Sequence, residues 1–178
     1  MNTYTNREWG DGTETPQIFN PTELLQTSGW SAAQNAGMKG VILTCNTMMV
    51  SACGRPDIPA IALSPVHGKM EGEMWSGKCL KHAVRYGMKF GIYLSPWDRN
   101  KPCYGSGKEY DDYYLAQLTE LLTGYGDIFS VWLDGACGEG PNGKNRYMTG
   151  NAINECVRKY QARRMYLCVW AGYQVVRK

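Results

Sequence analysis

Ser130-Val131-Trp132-Leu133-Asp134-Gly135 is an apolar run that ends in one carboxylate and a glycine. A run from Ile128 to Leu133 suits a buried parallel strand, and Gly135 lets the chain turn where Asp134 emerges at the strand's C-terminal edge. Barrel enzymes keep their chemistry at that edge, where a carboxylate can act as a nucleophile or a proton acceptor. Alone, the pattern also fits an Asp that caps the following turn. Glu139, five residues on, is a second carboxylate that could stand in as its catalytic partner, but a structural or substrate-side role in its glycine-rich loop is the reading preferred. Trp97 follows another strand end and either lines a pocket or packs at its rim. Glu8 and Trp9 stand side by side in a polar, aromatic stretch that reads as a loop. The two histidines, His67 and His82, take no role, and the seven cysteines, at 45, 53, 79, 103, 137, 156 and 168, show neither CxxC nor metal-ligand spacing.

The elements that would carry these residues alternate. Asn20-Pro21-Thr22 has the cap and first-turn proline of a helix running to Gly37, and Lys39 to Thr44 forms a strand. Between Cys45 and Gly77 three prolines and several glycines leave neither helical nor strand period, and the stretch is expected to be irregular. A helix near Lys78 to Tyr86, a strand Lys89 to Leu94, a loop to Lys108 and a helix from about Glu109 to Tyr125 precede the Asp134 strand. A helix from about Ala152 to Tyr160 and a strand from Met165 to Trp170 complete the series. Strand and helix in turn imply an α/β fold on a parallel sheet.

The 178 residues suffice for one core or part of a larger one, and the net charge of +3 comes from Lys and Arg scattered without a basic run. A nucleic-acid groove or an anionic membrane surface is therefore not indicated. There is no apolar run of membrane length and no signal peptide at Met1, and the compartment stays open. Six Trp and twelve Tyr fit a sugar site and an ordinary core alike.

Two long stretches carry a specific likeness. Tyr86-Gly-Met-Lys-Phe-Gly-Ile-Tyr-Leu-Ser-Pro-Trp-Asp-Arg-Asn100, with Gln117-Leu-Thr-Glu-Leu-Leu122, Val131-Trp-Leu-Asp-Gly135 and Gly138-Glu-Gly-Pro-Asn-Gly-Lys144, resembles the α-L-fucosidases of glycoside hydrolase family 29. Asn2-Thr-Tyr-Thr-Asn-Arg-Glu-Trp-Gly10 and Ala36-Gly-Met-Lys-Gly-Val-Ile-Leu-Thr44 agree. The resemblance implies a (β/α)8 TIM barrel, of which the chain is about the first half or a little more, and retaining hydrolysis of terminal α-L-fucosyl bonds in fucosylated oligosaccharides or glycoconjugates. It makes Asp134 the nucleophile, Glu8 a hydrogen-bond acceptor for sugar hydroxyls and Trp9 a flat face against the ring, and it leaves both readings of Trp97 open. The acid/base carboxyl group would lie just beyond Lys178, and no metal or organic cofactor is implied.

After Thr44 the family carries two histidines and Asp-Gly-Phe; here stands Cys45-Asn-Thr-Met-Met-Val50. Back-translation with each new codon starting at the third base of the old one turns Met48-Met49-Val50 into a forced Asp-Gly. Met70-Glu71 likewise forces Gly and Met74-Trp75 forces Val, within a permitted run of family residues. Residues 45–85, 145–150 and 162–178 are therefore expected to be translated in a shifted frame, and 2–44, 86–144 and 151–161 to be family-like. On this reading the polypeptide is an inactive fragment. The rivals are a fucose-binding remnant without turnover and the translation of an error-bearing gene sequence.

Overall fold

The computed structural model describes residues 27–46, 75–98, 102–134, 138–139, 143–144, 150–162 and 165–169. In chain order these form α1 (Thr27–Asn35), β1 (Gly40–Asn46), α2 (Trp75–Arg85), β2 (Lys89–Leu94), α3 (Lys108–Gly124), β3 (Ser130–Asp134), α4 (Gly150–Tyr160) and β4 (Met165–Val169). The strands pair in chain order, β1-β2-β3-β4, and every pairing is parallel. A helix links each strand to the next, so the sheet consists of three βαβ units.

Two helix ends use the same device. Ala36-Gly37-Met38-Lys39 and Tyr86-Gly87-Met88-Lys89 each place a glycine with positive φ, 79° and 65°, just past the helix. The methionine N–H then returns to the final turn, Met38 to Ala33 O at 3.1 Å and Met88 to Ala83 O at 2.8 Å. This closes the exposed carbonyls of the helix and aims both chains into the sheet side by side, where Lys89 N–H donates to Lys39 O at 2.9 Å.

Alternation along the strands gives the sheet two different faces. Phe90, Ile92, Leu94, Val131 and Leu133 belong to one buried cluster with Cys79 and Ala83 of α2, Leu118, Leu121 and Leu122 of α3, and Ile153 and Val157 of α4. On the other face Ile42 is 39% exposed and Trp132 40% exposed. Phe129 lies across this second face at its N-terminal side, against Gly40 and Gly91. A Cβ on Gly91 would sit 2.8 Å from Ser130 O and 3.0 Å from the Phe129 ring. Gly91→Ala is expected to cost about 1–3 kcal/mol, because a backbone oxygen cannot swing aside, and urea unfolding checks it.

The sequence expectations meet the structure closely, with two corrections. The irregular stretch expected over 45–77 is shorter at both ends: β1 continues to Asn46, which pairs with Leu94 across a bulge after Thr44, and α2 starts at Trp75. Residues 47–74 and the helix start expected at Asn20 lie outside the described residues. No described helix is long and apolar enough to cross a membrane.

Candidate active site

Asp134 is the last residue of β3, at the C-terminal edge of the sheet. Period two puts Trp132 on its side of the strand and sends Val131 and Leu133 into the helix-covered core. The register pairs Trp132 with Tyr93 of β2, and their rings meet at 5.0 Å between centroids, tilted by 54°. Tyr93 and Asp134 are thereby neighbours across two strands. The Tyr93 hydroxyl donates to Asp134 Oδ2, and Ser95 Oγ, just past the end of β2, donates to Oδ1 at 3.1 Å. A hydroxyl on each oxygen fixes the rotation of the carboxylate about its Cβ–Cγ bond.

The phenol of Tyr93 is pushed far above its ordinary value. Burial is the largest cause, the hydrogen bond to Asp134 and that carboxylate's charge add to it, and the hydrogen bond with Ser95 opposes it. Tyr93 accordingly remains a donor at every physiological pH. Its proton is held more tightly in the folded chain than in the unfolded one, so its stabilising contribution is complete below the unfolded value near 10 and is lost as pH rises beyond that. Urea unfolding of wild type and Tyr93→Phe at pH 8 and 11 checks the sign: the wild type should lose more stability than the variant between the two.

Ser95 is itself held, since its Oγ accepts the Trp97 N–H at 3.3 Å. The Trp97 ring lies flat against Gly138, where an added Cβ would be 2.4 Å from it, and Tyr104 donates its hydroxyl to Gly138 O at 2.7 Å. Gly138 is thus packed onto the loop after β2 by the absence of a side chain.

Among the expected site residues, Asp134 and Trp97 meet through Ser95, while Glu8 and Trp9 lie outside the described residues, as does His67. Glu139 is exposed beside Gly143. His82 sits on α2 against Trp30, 5.6 Å between ring centroids, with its Nδ1 3.0 Å from Lys78 O. Among the described residues no three His, Cys, Asp or Glu side chains converge as metal ligands would. Sequence reasoning missed Tyr93, Ser95 and Trp132. Trp132 stands two residues before Asp134 and shares its face by simple alternation, and Tyr93 and Ser95 have the same spacing at the end of the neighbouring strand.

The chain is 40% identical over 144 residues to Alpha-L-fucosidase 1 of Arabidopsis thaliana, an alignment that covers 78% of this chain and 28% of that protein. A solved structure of a glycoside hydrolase 29 family member from an unknown rumen bacterium is 35% identical, with a TM-score of 0.74 over 93% of this chain and 32% of the other. Over most of its length this chain is similar to a part of the α-L-fucosidases of glycoside hydrolase family 29. A further solved member, SpGH29, is 29% identical with a TM-score of 0.76 over 94% of this chain and 38% of that one. No family model matches the chain. The chain spans 28% of the length of its plant relative, and the site around Asp134 falls within that span.

Proposed function

We propose that the chain is part of the (β/α)8 barrel of a retaining α-L-fucosidase that hydrolyses terminal α-L-fucosyl linkages in fucosylated glycans, with Asp134 as its nucleophile. The observation that carries this reading is the carboxylate at the C-terminal end of a central parallel strand, with both oxygens engaged by hydroxyls of the neighbouring strand. The strand order supports a barrel wall: it follows the chain without reversal, whereas a doubly wound sheet reverses at a switch point.

In the first step an Asp134 oxygen attacks the anomeric carbon as its bond to the aglycone oxygen breaks, and a second carboxyl group, about 5 to 5.5 Å away, protonates that oxygen. In the second step the same group takes a proton from water, the water oxygen bonds to the anomeric carbon, and the Asp134 ester bond breaks. Tyr93 and Ser95 orient the carboxylate before attack and receive its charge when it leaves. Half-exposed Trp132 offers an apolar wall beside it. Glu8 and Trp9 are assigned to sugar binding by family resemblance, and Trp97 by its place after a strand end.

The polypeptide as written is proposed to be inactive, its sequence departing from the family pattern at 45–85, where the paired histidines are replaced. Resequencing the source DNA tests this. An uninterrupted frame with His-His-Asp-Gly restored gives a full enzyme, which an activated 2-fluoro-fucosyl fluoride should label on Asp134, the carboxylate displacing fluoride. A label on another carboxylate overturns the assignment. Confirmed shifts would leave a chain that neither turns over nor labels.

A further inference from the structure

Beyond the two hydroxyls that touch Asp134, a deeper residue reaches it through the backbone. Tyr110 of α3 is 1% exposed and donates its hydroxyl to Pro96 O at 3.0 Å. The other end of that same peptide, the Trp97 N–H, donates to Ser95 Oγ at 3.3 Å, and Ser95 Oγ donates to Asp134 Oδ1 at 3.1 Å. Every direction is forced: a carbonyl and a carboxylate only accept, so the Ser95 proton points to Asp134 and its lone pair to Trp97. A donor on a peptide oxygen polarises the peptide and strengthens the hydrogen bond its N–H gives, which in turn strengthens the next.

We propose that Tyr110 is a positioning residue for Asp134, acting through a chain of hydrogen bonds that runs from its hydroxyl across the Pro96-Trp97 peptide and Ser95 to the carboxylate. The surroundings suit a fixed relay. Ser95 is 1% exposed, so water does not compete for the central hydroxyl. The Tyr110 ring is set edge-on to Tyr104 at 5.0 Å, and next to it Tyr114 donates to Leu94 O at 3.1 Å, fixing the peptide that enters Ser95. Pro96 closes its own φ, leaving the loop between these anchors little freedom. Tyr113, on the same helix and 4% exposed, has its hydroxyl on a different partner, accepting from Gln117 Nε2 at 2.6 Å. The catalytic meaning of the relay rests on Asp134 being the nucleophile; its existence does not.

The test is carbon-13 NMR of the full chain with labelled Asp carboxyl and Tyr Cζ carbons, without substrate, so that it is independent of the trapping experiment. Ser95→Ala should shift the Asp134 carboxyl signal. Tyr110→Phe, which keeps the ring, should shift it with the same sign, by up to about a tenth as much, and should weaken the Trp97 amide hydrogen bond. Tyr113→Phe, which removes the hydroxyl that accepts from Gln117 on the same helix, should leave both signals in place. If Tyr110→Phe does not fold, the reverse direction decides: Ser95→Ala should move the Tyr110 Cζ signal and spare that of Tyr113. An Asp134 signal unmoved by Tyr110→Phe, or moved equally by Tyr113→Phe, overturns the relay. So does a Tyr110 signal indifferent to Ser95→Ala. A trapped label on another residue, with these shifts present, would instead remove the nucleophile and leave the relay.

Discussion

Asp134→Ala in the uninterrupted-frame enzyme is expected to lower kcat on an aryl α-L-fucoside by about a thousandfold or more, because the substitution removes the carboxylate assigned to form the glycosyl ester. Steady-state kinetics measures the loss, and azide provides its diagnostic. Removing the carboxylate opens the face from which it attacked, so azide can bond to the anomeric carbon there while the aryloxide leaves. The product is a fucosyl azide of inverted configuration, which the wild type should not make. A loss below about tenfold would show that Asp134 holds the site rather than attacks. Asp134→Asn sharpens the distinction. Its amide preserves the shape but turns one acceptor into a donor, so one of the Tyr93 and Ser95 hydroxyls must face an N–H. If the role were only to anchor those hydroxyls, the two variants would perturb folding comparably and turnover modestly.

Much of this arrangement was legible in the residues. The helix and strand series from Lys89 onward matched the observed elements because each switch in period is marked: Gly87 and Gly126 stop helices with positive φ, and Leu133 precedes a carboxylate at a strand end. Trp97 was flagged by position, but what holds it was not. Its packing on Gly138 joins residues 41 apart, and only the close approach of two loops shows that Gly138 can carry no side chain. Tyr110 and Tyr114 were equally silent. On a helix rich in tyrosine every ring looks like core, and the hydroxyl that reaches a carbonyl on the next element is invisible until the helix is docked. The start of α2 was placed late for another reason. Cys79 and Ala83, four apart and both buried, mark the inner stripe, and Trp75 stands one further step of four before them, but Gly77, a poor helix former, lies between and reads as the end of the irregular stretch.

The two faces of the sheet carry the second large effect. Ile92 is fully buried between β2 and the helices, and Ile92→Ala is expected to cost about 2–5 kcal/mol in urea unfolding, the transfer of three carbons plus the cavity they leave. Ile42 lies on the opposite face beside Gly91, where a Cβ on that glycine would come within 3.2 Å of it, and is 39% exposed. Ile42→Ala should therefore cost this chain less than about 1 kcal/mol. The proposed barrel reverses only the second value. In a closed barrel the face with Ile42 becomes an interior filled by side chains from all the strands, and the same substitution should then approach the cost of Ile92→Ala. Measuring both variants in this chain and in the uninterrupted-frame enzyme separates architecture from composition. An Ile42→Ala cost that stays small in the longer protein would mean that its sheet does not close over this face, and the barrel would have to be abandoned even if Asp134 proved to be the nucleophile.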